Sequence, residues 1–130
     1  MFSIQQIEKE HEKVKSGADF PKYIQALKQM GVQSFQTLVK DSSTTYLGTN
    51  NNTLTSEPQY EPLFIADEVT TDTFKTKLRE HQQGKTDYFT FCSDCAVNGI
   101  EKWVMDLEKM TCVYYDKTGN DILTEQISEV

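Results

Sequence analysis

The sequence predicts an α+β fold: an antiparallel sheet of about five strands with about four helices packed mainly on one face. Three observations lead there. Apolar residues recur at helical spacing between Ile4 and Met30 and again between Phe74 and Cys95. Core-type residues alternate with period two, Phe35, Thr37 and Val39 on one face of the first stretch and Trp103, Met105 and Leu107 on one face of the second. The two kinds of pattern are grouped rather than strictly alternating, which disfavours a parallel βαβ sheet.

The 130 residues fit a single domain spanning 1–130, with one core and no room for two. Hydrophobic residues make up 37% and charged residues 25%, the balance of a soluble globular chain. A formal net charge of −7 opposes binding to phosphate backbones and to anionic membranes, so neither nucleic acid nor membrane is expected as a partner. The N-terminus lacks the basic and apolar regions of a signal peptide, and no apolar run is long enough for a membrane span. Three cysteines are too few, and odd in number, for a secreted disulfide framework. The expected location is the cytoplasm. Asn51-Asn52-Thr53 fits a glycosylation acceptor but reads there as a polar loop.

Ser3 is positioned to cap a first helix carrying Ile4, Ile7, His11 and Val14 on one stripe, stopped at Ser16-Gly17. Asp19 and Pro21 open a second, lined by Phe20, Ile24, Leu27 and Met30 and ended by Gly31. Ser34–Val39 and Thr44–Leu47 read as strands around the turn Asp41-Ser42-Ser43. Gly48–Pro58 reads as an exposed loop, and Leu63–Ala66 as a brief edge strand or extended segment. Val69, Thr70 and Phe74 suggest a staple and N-cap for a third helix that Gly84 stops. Thr86 or Asp87 caps a fourth, with Tyr88, Phe91, Cys92 and Cys95 on one face and Asn98-Gly99 at its end. Strands follow at Glu101–Leu107, Met110–Asp116 and Asp121–Ile127, the last two joined by the turn Lys117-Thr118-Gly119-Asn120. No internal repeat is read.

Cys92-x-x-Cys95 is the first candidate for chemistry. A dithiol activated by a helix N-terminus would precede the helix or open it, whereas this pair lies inside, sharing a face with Tyr88 and Phe91. Zinc would need further ligands, drawn from Cys112, His11 or His81. The expectation is three core cysteines and no metal or cofactor, with Cys92, Cys95, Cys112 and His11 as the metal candidates if there is one. His11 lies on an apolar stripe and His81 near a helix C-terminus, both ordinary structural places. Trp103, Tyr114 and Tyr115 could line a ligand groove, but on adjacent strands they more often form cross-strand pairs. No nucleophile elbow, phosphate loop or metalloprotease motif occurs, so catalytic residues are unassigned and the reading leans away from an enzyme.

Three blocks together resemble a family of small bacterial and prophage proteins often labelled "phage envelope protein". They are Ser16–Pro21 with the following Tyr23-Ile24, His81–Tyr88, and Phe91-Cys92 through Gly99–Trp103 to Met110–Cys112, Tyr114–Lys117 and Gly119-Asn120. The resemblance implies an α+β domain of about this length and no established activity, cofactor or catalytic residue. The expected function is an uncharacterised cytoplasmic binding or interaction domain, acting as a homodimer. The alternatives are a metal- or thiol-dependent protein using Cys92, Cys95 and Cys112, and a small-ligand carrier using aromatic residues around Trp103 and Tyr115.

Overall fold

The computed structural model describes residues 2–14 and 19–127. The chain runs α1 (Ile4–His11), α2 (Phe20–Met30), β1 (Val32–Leu38), β2 (Thr44–Gly48), β3 (Thr53–Thr55), α3 (Thr71–Gln82), α4 (Tyr88–Val97), β4 (Lys102–Asp106), β5 (Thr111–Tyr115) and β6 (Asp121–Gln126). The six strands form one antiparallel sheet in the order β3-β2-β1-β4-β5-β6. Among the described residues, no helix is long and apolar enough to cross a membrane.

The helix starts follow from local hydrogen bonding. Ser3 Oγ accepts from the Gln6 N–H at 3.2 Å while Gln6 Oε1 accepts from the Ser3 N–H at 2.8 Å, a reciprocal cap for α1 worth about 1 kcal/mol. Asp87 Oδ1 accepts from the Thr90 N–H at 2.8 Å and opens α4. Thr70 stands at the N-cap position of α3 without capping it; its hydroxyl donates instead to Asn98 Oδ1, tying the start of α3 to the end of α4. The first helix is shorter than its apolar stripe suggested and ends at His11; the expected Ser16-Gly17 stop, and Ala18 of the resembling block, lie outside the described residues.

Register decides which side chains meet the helices. Tyr46, Phe35, Met105 and Cys112 form one row across the sheet, and Thr44, Thr37, Trp103, Tyr114 and Leu123 the next. This face carries the core. Phe74 of α3 meets Tyr114 edge-on at 5.1 Å, and Tyr88 and Phe91 of α4 pack on Trp103 at 6.3 and 5.8 Å, contacts worth about 1 kcal/mol each beyond the area they bury. The opposite face, with Gln36, Val104, Val113 and Thr124 in register, stays partly open to solvent.

The sheet has six strands where about five were expected. The additional one, β3, falls inside Gly48–Pro58, which had read as loop. Three residues are too few to show a period; pairing makes the strand, with Thr45 opposite Thr55 and their hydroxyls 3.2 Å apart. Leu63–Ala66 forms no strand. It is held as an extended crossing by Leu63 N–H to Lys40 O at 2.7 Å and Ala66 N–H to Ala96 O at 2.9 Å.

An internal repeat is present, contrary to the sequence reading. Each half is two helices followed by a three-stranded meander, and the halves join through β1 and β4, antiparallel neighbours centred on Gln36 opposite Val104. The same interval along the chain relates the N-cap positions Asp19 and Asp87, the left-handed helix ends Gly31 and Gly99, Phe35 and Trp103, and Tyr46 and Tyr114. It also relates two reciprocal hydrogen bonds across the seam: Val39 N–H to Glu101 O at 2.8 Å and Leu107 N–H to Gln33 O at 2.9 Å. Few of the equivalent residues are identical. Geometry and role repeat while side-chain identity does not, so the sequence hides the duplication.

Candidate functional site

A cavity of about 170 Å³ lies in the first half, between α1–α2 and the core-facing side of β1–β2, with Tyr88 of α4 and Trp103 of β4 closing it from the second half. Its strand floor is lined by hydroxyls. Thr37 and Thr44 join their hydroxyls at 2.9 Å, a bond either can donate, and Thr44 Oγ1 also lies 3.2 Å from the Ser42 carbonyl that can accept its proton. Ser42 Oγ and the Tyr88 hydroxyl lie 2.6 Å apart, and Ser56 Oγ accepts from the Thr44 N–H at 3.0 Å. The walls are rings. His11 stands 5.3 Å from Tyr23 and 5.7 Å from Tyr88, Phe20 stands 6.2 Å from Tyr23, and Phe35 stands 5.5 Å from Tyr46.

Electrostatics follow from that enclosure. Burial, then the neighbouring Tyr46 phenol, pushes the Tyr23 hydroxyl far above its ordinary pKa. Burial likewise raises Tyr46, opposed by hydrogen bonds with Tyr23 and Thr44 and reinforced by the Glu8 carboxylate. Tyr88 is held well above the phenol range, chiefly by burial. His11 remains exposed at the rim, yet the tyrosine rings beside it desolvate its imidazole and lower its pKa. Among the described residues, the cavity therefore presents neutral hydroxyls and imidazole, ring surfaces, and one carboxylate, Glu8.

The equivalent places in the second half are filled. Aligned at the helix starts Ile4 and Thr71, one residue short of the interval above, Ile7 and His11 correspond to Phe74 and Leu78; at the full interval Tyr23 corresponds to Phe91, and Thr37, Ser42 and Thr44 to Met105, Met110 and Cys112. All six of those counterparts are buried. What remains there is a more open depression of about 200 Å³ between α3 and β6, lined by Leu78 and Leu123 with Lys75, Arg79, Gln82 and Glu125. The same backbone thus packs Met105, Met110 and Cys112 into the core of one copy and lines a cavity with hydroxyls at those places in the other.

The cysteines lie elsewhere. Cys92, Cys95 and Cys112 are free and buried. Burial raises Cys92, holds Cys95 well above the thiol range, and pushes Cys112 up to about 12. Among the described residues, no group of three or more His, Cys, Asp or Glu side chains is placed to hold a metal. His11 is separated from the thiols, lining the cavity that they do not reach. His81 stacks on Phe91 at 4.5 Å and 12°, with Nδ1 3.1 Å from the Thr86 carbonyl, and burial lowers its pKa.

Of the three aromatic groove candidates, Trp103 alone lines the cavity. Tyr114 is buried under α3, and Tyr115 points from the other face of the sheet, where Lys102 Nζ lies 5.4 Å from its ring centre. Alternation along β5 separates the adjacent tyrosines. The sequence reading missed Thr37, Ser42, Thr44, Tyr46 and Glu8. A signal was available: Thr37 shares its strand face with Phe35 and Val39, and a hydroxyl at a core-facing position is informative.

Residues 8–126 match the model of a family described as "Protein of unknown function (DUF1398)", and the chain belongs to that family. No curated protein matches it.

Proposed function

We propose that this chain is a small-ligand-binding domain whose site is the cavity between α1–α2 and β1–β2. The observation that carries this reading is the contrast between the halves. A void left by poor packing would have no reason to be lined by paired hydroxyls where the other copy holds methionine and cysteine. Emptying a core costs stability in proportion to the volume left, so a hollow kept on a scaffold that can be packed points to use. A cavity of about 170 Å³ is close to the ~150 Å³ that accepts benzene in an engineered core, which sets the scale at one ring or its equivalent.

Binding is favoured over catalysis because the partners found for Thr37, Ser42, Thr44 and Ser56 are hydroxyls and backbone groups, whereas a nucleophilic hydroxyl needs a base. The proposal treats residues 1–130 as one domain, supported by the contribution of Tyr88 and Trp103 from the second half to a cavity in the first.

The test is to fill the hollow with the side chain found at the equivalent place. Trp103 is the sole tryptophan and lines the cavity, so its emission reports occupancy. Titration with phenol is expected to shift wild-type emission saturably and to leave Thr37→Met unchanged, with the variant as stable as wild type or more so. Absence of saturation in wild type, or equal responses in both, removes the reading.

A further inference from the structure

Resting on that reading, we infer that the cavity takes a small organic cation, an alkylammonium group of about one ring's size. Three observations converge on positive charge. First, the walls are aromatic: Tyr23, Phe35, Tyr46, Tyr88 and Trp103 surround the space, and ring faces carry the negative end of the quadrupole that attracts ammonium groups. Second, the floor is rich in hydroxyl oxygens, those of Thr37, Ser42, Thr44 and Ser56, whose lone pairs can face an ammonium group. Third, among the described residues Glu8 is the only carboxylate of the lining, and no Lys or Arg belongs to it.

These features select against the alternatives. Among the described residues of the lining an anion would meet no lysine or arginine, and burying an unpaired charge is unfavourable. An inorganic divalent ion needs several oxygen ligands converging with carboxylates among them, and no such acidic cluster is present among the described residues. A soft, weakly hydrated organic cation is matched by rings, hydroxyl oxygens and a single carboxylate at the mouth.

The experiment compares choline with its neutral carbon isostere 3,3-dimethylbutan-1-ol on the intact protein. Trp103 emission is followed at constant ionic strength, in wild type and Glu8→Gln. Glu8 is exposed, so its substitution leaves the core intact. Choline is expected to bind at least about tenfold more tightly than the isostere, the scale of a desolvated cation–π site. Glu8→Gln is expected to weaken choline by about fivefold while leaving the isostere unchanged. Equal or tighter binding of the isostere overturns the cation inference and leaves the cavity reading standing. No saturable response to choline, the isostere or phenol overturns both.

Discussion

Ser42 and Met110 occupy the same place in the two halves, each in the turn after the first strand of its meander and each with left-handed backbone, φ 63° and 54°. Neither is glycine, and both are buried. The Ser42 hydroxyl faces the cavity and meets the Tyr88 hydroxyl at 2.6 Å, whereas Met110 belongs to the apolar core. One backbone solution thus serves opposite ends.

The Ser42–Tyr88 bond is expected to stabilise the closure of the cavity. Ser42→Ala leaves a buried phenol without this partner and should cost about 1–3 kcal/mol. Tyr88→Phe in the Ser42→Ala background should recover part of that loss, because removing both polar groups is cheaper than stranding one. Urea denaturation of both single variants and the double variant measures the coupling; strict additivity would contradict it.

The helix ends Gly31 and Gly99 offer a matched pair of substitutions. Both have left-handed backbone, φ 98° and 85°, so alanine at either pays about 1–2 kcal/mol. A Cβ at Gly31 meets nothing within 4 Å, whereas at Gly99 it would stand 2.6 Å from the Glu68 carbonyl oxygen. Gly99→Ala should therefore be clearly the more destabilising. Equal urea midpoints for the two variants would refute the close approach.

The thiols predict a loss of stability in alkali. Cys112 rises from 9.0 to about 12 on folding. Below pH 9 the thiol is protonated in folded and unfolded chains alike, and its contribution is complete. Between pH 9 and 12 the unfolded chain gives up its proton first, so stability falls through that window. Native protein should react slowly with a thiol reagent at pH 8 and fully once unfolded. Rapid modification of Cys92 or Cys95 in the native state would restore the thiol-dependent alternative.

Acid acts through the histidines. Burial lowers both His11 and His81 from 6.5, so each favours the folded state in its neutral form. Their contribution is present above pH 6.5 and is lost as pH falls toward and through the lowered values. His81→Asn should shrink the drop in urea midpoint between pH 7 and pH 5 without abolishing it, because His11 still titrates. An unchanged drop would mean that the Phe91 stack does not hold His81 neutral.

Strong local signals were readable from sequence. The strand β4 stands where alternation placed it, β5 and β6 where β-forming residues and the Lys117–Asn120 turn did, and the Ser3 cap forms as read, with Asp87 rather than Thr86 capping α4. β3 was not readable, since its three residues owe their conformation to the partner strand. The cavity was hidden for a related reason: Thr37 and Thr44 are good strand formers, and although Thr37 shares a face with Phe35 and Val39, only register sets Thr44 beside it. Tyr114 and Tyr115 show the opposite error, neighbours in sequence that the pleat sends to different faces. The repeat was veiled because Thr37 and Met105, or Ser42 and Met110, share a position and little chemistry.

The seam between β1 and β4 has a consequence for stoichiometry. Were the two halves separate copies of one chain paired across that seam, symmetry would force every residue to appear twice: two hollows or none, two sets of rings, two carboxylates. Linked in a single polypeptide, they are released from that constraint. One half can spend its interior on cohesion while the other gives up packing for an opening, and the cohesive half lends Tyr88 and Trp103 as walls. An occupied molecule should accordingly carry one guest per chain.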